Sequence, residues 1–316
     1  MSVSDAVIIS RLRAAGCVFA EDEARLLMST ARTPDELDAM VDRRVAGLPL
    51  EQVLGWAEFC GLRITVAPGV FVPRRRTEFL VRQATLLIRG DDPPGPPAAP
   101  VSVSPGGTHP PGPPLGGTHS LGPPLGRAPR PSRSPRPGEG MAWPGVVIVD
   151  LCCGAGAIGA ALAAAVDRAD VHAADIDPAA VRCARRNLPG PRGHVYQGDL
   201  YEPLPGGLRG RVSVLVANVP YVPTGEIGFL PPEARAHEPR VALDGGADGL
   251  DVLRRVAAGA AEWLMPGGHL LIETSERQVP SAQAAFVAGG LSARVASSAD
   301  LDATVVIGRL LAARGT

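Results

Sequence analysis

From residue 146 onward, short apolar runs alternate with stretches that have helical spacing. The apolar runs are GVVIVDL, ADVHAADI, HVYQGDL, RVSVLVAN, GGHLLIETS and ATVVIGRL. Helical patterns such as PAAVRCARRNL and GLDVLRRVAAGAAEWL lie between them. Apolar strands that alternate with helices predict a parallel sheet with helices on both faces. We therefore expect an α/β domain over 146–316, with ligands bound at the carboxyl ends of its strands.

The first part of the chain has helical spacing instead. The stretch TPDELDAMVDRRVAG offers Thr33 as an N-cap, Pro34 in the first turn, acids early, arginines late and Gly47 after the end. These are the start and stop signals of a helix. We predict a small helical N-terminal domain over 1–57.

A hairpin and a connecting helix are predicted over 58–90. Apolar residues alternate over 62–66, and the chain then turns at Pro68-Gly69 into a second short apolar run. Two such runs around a turn indicate a β-hairpin. Helical spacing resumes over 76–89.

The composition changes sharply between residues 91 and 145, which hold 17 of the 33 prolines. The sequences GGTH and GPPLG each occur twice there. Such a segment buries too little apolar surface to offset the entropy lost on ordering. We predict a disordered or polyproline-II linker. An inert insertion is favoured over a docking tail for an acidic partner, because repeats of this kind are mainly compositional.

Charge and cysteine content exclude several classes of protein. The net charge of −1 provides no basic field to attract nucleic acid. The five cysteines are odd in number and contain no CxxC pair, so a disulfide framework or a zinc–cysteine site is not expected. The sequence shows no signal peptide and no apolar run long enough to cross a membrane. We expect a cytoplasmic protein with no membrane partner.

The first strand end of the α/β domain has the pattern of a nucleoside-binding site. In DLCCGAGAIG, Gly154 and Gly156 allow a tight turn to approach a ligand before a helix begins. The next strand ends at Asp175, where a carboxylate can accept hydrogen bonds from ribose hydroxyls. The combination predicts a nucleoside cofactor.

The cofactor is best matched by S-adenosylmethionine. Cys152 stands where a dinucleotide site has its first glycine, and no Lys-Ser/Thr pair follows for a triphosphate. S-adenosylmethionine has no phosphate and needs only a close backbone and a ribose acid. In the sequence QGDL, Asp199 can accept from the adenine amino group and Leu200 can cover the ring face.

The strand RVSVLVAN ends in NVPY, which suits nitrogen methylation. The side-chain oxygen of Asn218 and the next backbone carbonyl can both accept hydrogen bonds from one NH₂ group, while Tyr221 can stack on its face. An amide or an aromatic amine would be held in its plane. These hydrogen bonds strengthen as positive charge develops on the nitrogen, which stabilises the transition state.

The order of these motifs resembles the HemK/PrmC-type glutamine methyltransferases, which methylate a glutamine side chain of translation release factors. The resemblance covers the chain except the proline-rich insert. Its motifs here are GLPLEQVLGWAEFCGLRITV, VFVPRRRTEFLV, VDLCCGAGAIGAALA, AADIDPAAVRCARRNL, GDLYEPL, NVPYVPT, EPRVALDGGADGL and LLIETSERQ. It implies a Rossmann-like S-adenosylmethionine-dependent methyltransferase sheet, joined by a hairpin to a helical N-terminal domain that recognises the release factor.

The resemblance also assigns site residues. The catalytic and substrate positions are Asn218, Val219, Pro220 and Tyr221. The cofactor positions are Asp150, Cys152, Cys153, Gly154, Ala155, Gly156, Asp175, Asp199, Leu200, Asn218 and Phe71. The stretch from Pro73 to Glu78 is expected to cover the cofactor from the hairpin side, and no metal site is expected.

The sequence departs from this family at two places. Val219 replaces the first proline of Asn-Pro-Pro-Tyr, which loosens the backbone, and ETSERQ lacks the usual glycine. Two alternatives stay open at this point. One is an adenine amino-methyltransferase acting on nucleic acid, which would need a basic cleft for a flipped base. The other is a weakly catalytic S-adenosylmethionine-binding protein that interacts through its proline-rich insert.

Overall fold

The N-terminal part of the chain is helical, as its spacing predicts. The computed structural model describes residues 3–91 and 145–311, so the linker predicted over 91–145 lies, apart from its two end residues, outside the described part. The first four helices are α1 (Val3–Ala14), α2 (Ala20–Thr30), α3 (Pro34–Val45) and α4 (Leu50–Leu54). Thr33 Oγ1 accepts a hydrogen bond from Glu36 N at 3.1 Å, which confirms the predicted N-cap of α3.

The hairpin forms earlier in the chain than predicted. Its strands are β1 (Trp56–Phe59) and β2 (Leu62–Thr65), which pair antiparallel. The two-residue turn between the strands is Cys60-Gly61, with φ of 50° and 72°. A turn does form at Pro68-Gly69, where Val70 N donates to the Ala67 carbonyl at 3.1 Å, but it follows β2 and does not join the two strands, so the predicted position of the hairpin turn is wrong. Two positive φ values match the twist of paired strands, and a cysteine gives no signal for that conformation in a sequence. The connecting helix α5 spans Glu78–Arg89, as predicted.

Strands and helices then alternate through the second part of the chain. The strands are β3 (Val147–Leu151), β4 (Asp170–Asp175), β5 (Gly193–Gln197), β6 (Val212–Ala217), β7 (Leu264–Thr274), β8 (Leu291–Ser298) and β9 (Ala303–Leu310). The helices are α6 (Ala157–Ala165), α7 (Pro178–Asn187), α8 (Pro232–His237), α9 (Asp251–Trp263) and α10 (Val279–Ala288). The seven strands form one sheet in the order β5-β4-β3-β6-β7-β9-β8.

The sheet is mixed, whereas a purely parallel sheet was predicted. β9 runs antiparallel to both of its neighbours, β7 and β8. The sequence reading also missed β8, whose partly exposed residues do not form an apolar run. An edge strand with one neighbour buries little surface, so its sequence pattern is weak.

Apolar side chains pack on both faces of the sheet. On one face, Leu80 of α5 and Leu162 of α6 belong to one cluster of buried residues. On the other face, Leu253 of α9 and Phe286 of α10 belong to a second cluster. The five cysteines, all of which lie in described segments, form no disulfide. Helices therefore cover both faces, as the alternating pattern predicts.

A buried arginine ties α3 to the neighbouring elements. Arg44 donates to both carboxylate oxygens of Glu23 on α2, at 2.6 and 3.1 Å. It also donates to Glu233 on α8 at 2.6 Å. The side chains of Arg44 and Glu23 are only 9% and 11% exposed. The contact connects the N-terminal helices to a helix that follows the NVPY segment.

We expect Arg44→Met to lower the free energy of unfolding by roughly 3–5 kcal/mol, because it leaves the Glu23 carboxylate buried without its partner. Arg25→Met is the matched control, since Arg25 pairs with Asp22 at the surface, where both side chains are more than half exposed. That change should cost less than about 1 kcal/mol. Urea denaturation of the three proteins measures both effects. Equal losses in the two variants would contradict a structural role for the buried pair.

Candidate active site

A crevice opens where β3 and β6 lie side by side. Strands β4 and β5 extend the sheet on one side of this pair, and β7, β9 and β8 extend it on the other. The chain segments that leave the two strands therefore diverge. Leu151 pairs with Ala217 in the parallel register. The next residues, Cys152 and Asn218, consequently leave the sheet next to each other.

A cavity of about 320 Å³ occupies this crevice. It brings together most of the residues predicted from the sequence. These are Phe71, Cys152, Cys153, Gly154, Ala155, Asp175, Asp199, Leu200, Asn218, Val219, Pro220 and Tyr221. Asp150 and Gly156 do not line it. The volume is in the range of ordinary ligand sites.

The turn after β3 is held against the end of β4. Cys152 and Gly154 both have φ of 54°, and Gly154 N donates to Asp175 Oδ2 at 2.8 Å. The other oxygen of Asp175 accepts from Asp177 N at 2.9 Å. Burial raises the pKa of Asp175 above its ordinary value. Each carboxylate oxygen keeps a further lone pair for a ribose hydroxyl.

Asp150 and Gly156 support this turn on the side away from the cavity. Asp150 is fully buried and accepts a hydrogen bond from Gly159 N in α6 at 2.9 Å, while its second oxygen has no partner. Burial raises its pKa to about 7. Gly156 has φ of 76°, and a Cβ there would lie 3.0 Å from the Ala184 side chain. Both residues shape the turn without lining the cavity.

Asp199 has a partner that the sequence reading missed. Arg255 of α9 donates to Asp199 Oδ2 at 2.7 Å, and both side chains line the cavity. The contact joins two segments 56 residues apart. No local sequence pattern signals such a contact. Arg255 does not engage the second oxygen of Asp199, which can accept a hydrogen bond from an amino group.

The charge of the cavity suits S-adenosylmethionine. Four carboxylates and two guanidinium groups line it: Asp175, Asp177, Asp199, Glu238, Arg74 and Arg255. Both arginines are paired with carboxylates, so neither offers an uncommitted charge to a phosphate. The walls are otherwise mostly apolar, including Phe71, Ile158 and Leu200. Because carboxylates outnumber guanidinium groups, a nucleoside with a positive sulfonium group fits this cavity better than a phosphorylated nucleoside does.

Asn218 is oriented by a residue on the other side of the crevice. Its amide nitrogen donates to Thr77 Oγ1 at 3.4 Å. Thr77 precedes α5 and is 3% exposed, so its hydroxyl has little freedom to move. The contact leaves the amide oxygen of Asn218 to accept a hydrogen bond. Thr77 lies in the predicted covering stretch, but the sequence gives no sign of this particular contact.

The backbone after Asn218 is held by a glycine loop and a glutamine. Gln278 Nε2 donates to the carbonyl of Tyr221 at 2.9 Å and to that of Asp248 at 3.0 Å. A Cβ on Gly249 would lie 2.2 Å from the Tyr221 carbonyl oxygen, and one on Gly245 would lie 2.6 Å from that of Pro220. Only glycine permits this approach. The carbonyl oxygens of Pro220 and Tyr221 are therefore closely packed against this glycine loop.

Two arginines before α5 pair with buried carboxylates and lie against aromatic rings. Arg76 donates to Glu273 at 2.7 Å, and its guanidinium carbon lies 5.5 Å from the centre of the Tyr221 ring. Arg74 pairs with Glu238 and lies 5.1 Å from the centre of the Phe71 ring. Burial raises the pKa of Tyr221. The pairs fix both rings at the cavity wall.

Fold and cavity together define an S-adenosylmethionine-dependent methyltransferase. The model of the Methyltransferase small domain matches residues 143–227, which include the turn after β3 and the NVPY segment. No helix among the described residues is long and apolar enough to cross a membrane.

Comparison with known proteins then gives the family. The chain is 33% identical over 245 residues to a release factor glutamine methyltransferase of Geobacter sulfurreducens, which covers 76% of this chain and 66% of that protein. It thus spans about two thirds of that relative's length. A protein of the same name from Mycolicibacterium smegmatis is 31% identical over 284 residues, covering 89% of this chain and 82% of that protein. The chain belongs to the release factor glutamine methyltransferase family.

A relative with a different name is similarly close. The 4-amino-L-phenylalanine/4-methylamino-L-phenylalanine methyltransferase of Streptomyces pristinaespiralis is 33% identical over 250 residues, which covers 79% of this chain and 69% of that protein. The substrate named for that protein carries its amino group on an aromatic ring. Family membership and choice of substrate are therefore separate questions.

We expect Asp150→Asn to remove a pH dependence of stability. Folded Asp150, with its pKa of about 7, holds its proton at pH values where the unfolded chain has lost it. The folded state then binds more protons, so the contribution of Asp150 to stability falls as the pH rises from about 4 to 7. The fall should be on the order of 4 kcal/mol relative to the variant. Urea denaturation at several pH values measures it. Parallel stability curves for the two proteins would contradict the buried, protonated carboxyl.

Proposed function

We propose that the protein transfers a methyl group from S-adenosylmethionine to the side-chain amide nitrogen of a glutamine in a protein substrate, a peptide chain release factor. The observation that carries the proposal is the orientation of Asn218. Its amide nitrogen is committed to Thr77 Oγ1 at 3.4 Å, beside the turn after β3. Its oxygen is left as an acceptor at the mouth of the crevice.

In this proposal the cofactor binds between the turn after β3 and the ends of β4 and β5. The turn from Cys152 to Ala155 lies against it, Asp175 accepts from the ribose, and Asp199 accepts from the adenine amino group. Leu200 and Phe71 cover its rings. S-adenosylmethionine supplies an electrophilic methyl group when it is bound. The cavity wall holds each of these side chains, which supports the assignment.

The chain's own residues position and polarise the substrate nitrogen. Asn218 Oδ1 and the Val219 carbonyl accept the two N–H groups of the glutamine amide and hold them in one plane. By accepting from both N–H groups, the two oxygens raise the electron density on the nitrogen that is to be methylated. The hydrogen bonds strengthen as positive charge develops on nitrogen, so they act mainly in the transition state. The cationic product amide is acidic and loses its proton to water, so no strong base is needed.

A protein substrate is supported by the N-terminal part of the chain. We propose that residues 1–57 recognise it, 58–90 connect, 91–145 are a linker and 146–316 carry the methyl-transfer site. Arg44 on α3 contacts Glu233 on α8 at 2.6 Å, and α8 contributes Ala234 to the cavity wall. A partner bound to the N-terminal helices would lie close to the site. Action on a release factor implies a cytoplasmic location and no direct contact with membrane.

The proposal is tested by incubating the full chain with release factor and S-adenosylmethionine labelled in its methyl group. Mass spectrometry of the product should find one added methyl group on a glutamine side chain. Label in nucleic acid would favour an adenine amino-methyltransferase. Label in no acceptor would favour a protein that binds the cofactor and interacts through its linker. Either result overturns the proposal.

An aromatic amine is the second candidate substrate. The similarity to the Streptomyces pristinaespiralis enzyme favours it, because an amine on an aromatic ring is planar and presents two N–H groups as an amide does. The same two acceptors would hold either group. The labelled assay with 4-amino-L-phenylalanine in place of release factor separates the two. A higher kcat/KM for the amine than for release factor would show that a small aromatic amine is the preferred substrate.

We expect Asn218→Ala to abolish methyl transfer while cofactor affinity changes by less than about tenfold. The side chain is proposed to contact the substrate, whereas the turn after β3 provides most of the cofactor contacts. Isothermal titration calorimetry measures cofactor binding, and the labelled assay measures transfer. Complete loss of cofactor binding would instead make Asn218 mainly a cofactor ligand.

Thr77 should act through Asn218. Thr77→Val keeps the shape but removes the hydroxyl, so the Asn218 amide loses the contact that sets its orientation. One hydrogen bond of this kind contributes about 1 kcal/mol, so kcat should fall roughly fivefold with little change in cofactor affinity.

Thr77→Ser is the matched control because it retains the hydroxyl, and its kcat should stay within about twofold of the parent. Thermal melting of both variants checks that the fold is intact. Equal kcat for the valine and serine variants would show that the contact does not orient Asn218.

A further inference from the structure

A cluster of two histidines and one aspartate lies on strands β4 and β5, away from the cavity. Asp170 and His172 are two residues apart on β4, so their side chains point to the same face of the sheet. His194 on β5 pairs with His172 in the parallel register and therefore shares that face. None of the three lines the cavity at the carboxyl ends of the strands. The sequence reading assigned them no role.

Their ligand atoms lie close together on this face of the sheet. His194 Nε2 lies 3.1 Å from Asp170 Oδ1, and His172 Nε2 lies 3.5 Å from Asp170 Oδ2. One ligand atom from each residue lies within 4.8 Å of the other two. Two ligands on a tetrahedral zinc ion stand roughly 3.3 Å apart, given bonds of about 2.0–2.2 Å. The two His–Asp separations, each to a different oxygen of Asp170, are close to that spacing.

His172 has the environment of a metal ligand. It is 5% exposed, and its Nε2 has no hydrogen-bond partner although it points towards Asp170. A buried ring nitrogen without a partner is costly. Its other nitrogen, Nδ1, lies 3.0 Å from the Tyr196 hydroxyl. If Nδ1 donates that hydrogen bond, Nε2 presents its lone pair, and a partner on the far nitrogen orients a ligating histidine.

We propose that Asp170, His172 and His194 bind a divalent transition metal ion of the zinc class, with water completing the coordination. Two neutral imidazoles and one carboxylate form a ligand set that zinc accepts. The side chains of Asp170 and His194 are 38% and 39% exposed, so an ion can enter from solvent.

Metal binding requires a small movement of His194. The rings of His172 and His194 are stacked 4.6 Å apart with 17° between their planes, so their nitrogen lone pairs lie in two nearly parallel planes that do not share one ion position. Convergence on one ion requires the more exposed ring to rotate about its χ angles towards the carboxylate. His172 is buried and held through Tyr196, so it stays in place.

The ion would join an edge strand to its neighbour. β5 is the last strand on its side of the sheet and pairs only with β4. Gly198, Asp199 and Leu200 follow it directly, and the last two line the cavity. A metal between β4 and β5 would stabilise the strand that carries these residues. It takes no part in methyl transfer, so the proposal does not depend on the substrate.

The test uses the full chain, freed of metal with a chelator and titrated with Zn²⁺ by isothermal titration calorimetry. His194→Ala removes a ligand that is 39% exposed without opening the core, and should weaken binding at this site more than about tenfold, since loss of an outer-shell partner alone costs about 10–100-fold. His237→Ala is the matched control and should bind as the parent does. Histidines elsewhere are the same in the parent and in His194→Ala, so their difference reports this cluster.

Two further measurements make the result specific. Tyr196→Phe keeps all three ligands but removes the partner of Nδ1, and should weaken Zn²⁺ binding about tenfold. Zn²⁺ should raise the melting temperature of the parent and not that of His194→Ala. Identical Zn²⁺ titrations for the parent and His194→Ala would overturn the proposal and leave the cluster as a hydrogen-bonded group without a metal.

Discussion

The site depends on one constraint, the parallel pairing of β3 with β6 at the point where the strand order reverses. Because Leu151 and Ala217 are in register, the glycine turn and Asn218 leave the sheet as neighbours. No other adjacent pair of strands in this sheet has chain segments that diverge in the same way. Other parts of the cavity wall come from the ends of β4 and β5, such as Asp175 and Asp199, and from the segment before α5, including Phe71 and Thr77.

The two places where the sequence departs from its family are connected in the structure. Val219 is 2% exposed and packs in a core cluster, so burial restricts the backbone that a proline would otherwise stiffen. Ser275, which stands where the family has glycine, donates to Gln278 Oε1 at 2.7 Å. Gln278 in turn donates to the Tyr221 carbonyl at 2.9 Å. The segment after Asn218 is thus held by packing and by this chain of hydrogen bonds.

Local patterns predicted the parts of the fold that depend on local physics. The N-cap at Thr33 and the apolar strands from Val147 onward form where the sequence indicates, because capping and burial act over a few residues. The hairpin turn was misplaced because Cys60 adopts a conformation that its residue type rarely takes. The predicted strand-end residues meet in one cavity because parallel strands end at the same edge of a sheet.

The contacts that refine the site join distant segments and leave no local signal. Thr77 reaches Asn218 across 141 residues, and Arg255 reaches Asp199 across 56. The sequence could place each of these side chains on an element but could not show which pairs would meet. Only the assembled sheet brings them into contact.

The central claim is that Asn218 and the Val219 carbonyl hold both N–H groups of the substrate nitrogen. A crystal structure with S-adenosylhomocysteine and a glutamine-containing release-factor domain tests it most directly. We predict that the glutamine Nε2 lies roughly 2.7–3.2 Å from both Asn218 Oδ1 and the Val219 carbonyl oxygen, with the Asn218 amide nitrogen still on Thr77. A complex in which the glutamine nitrogen contacts neither oxygen would contradict the account.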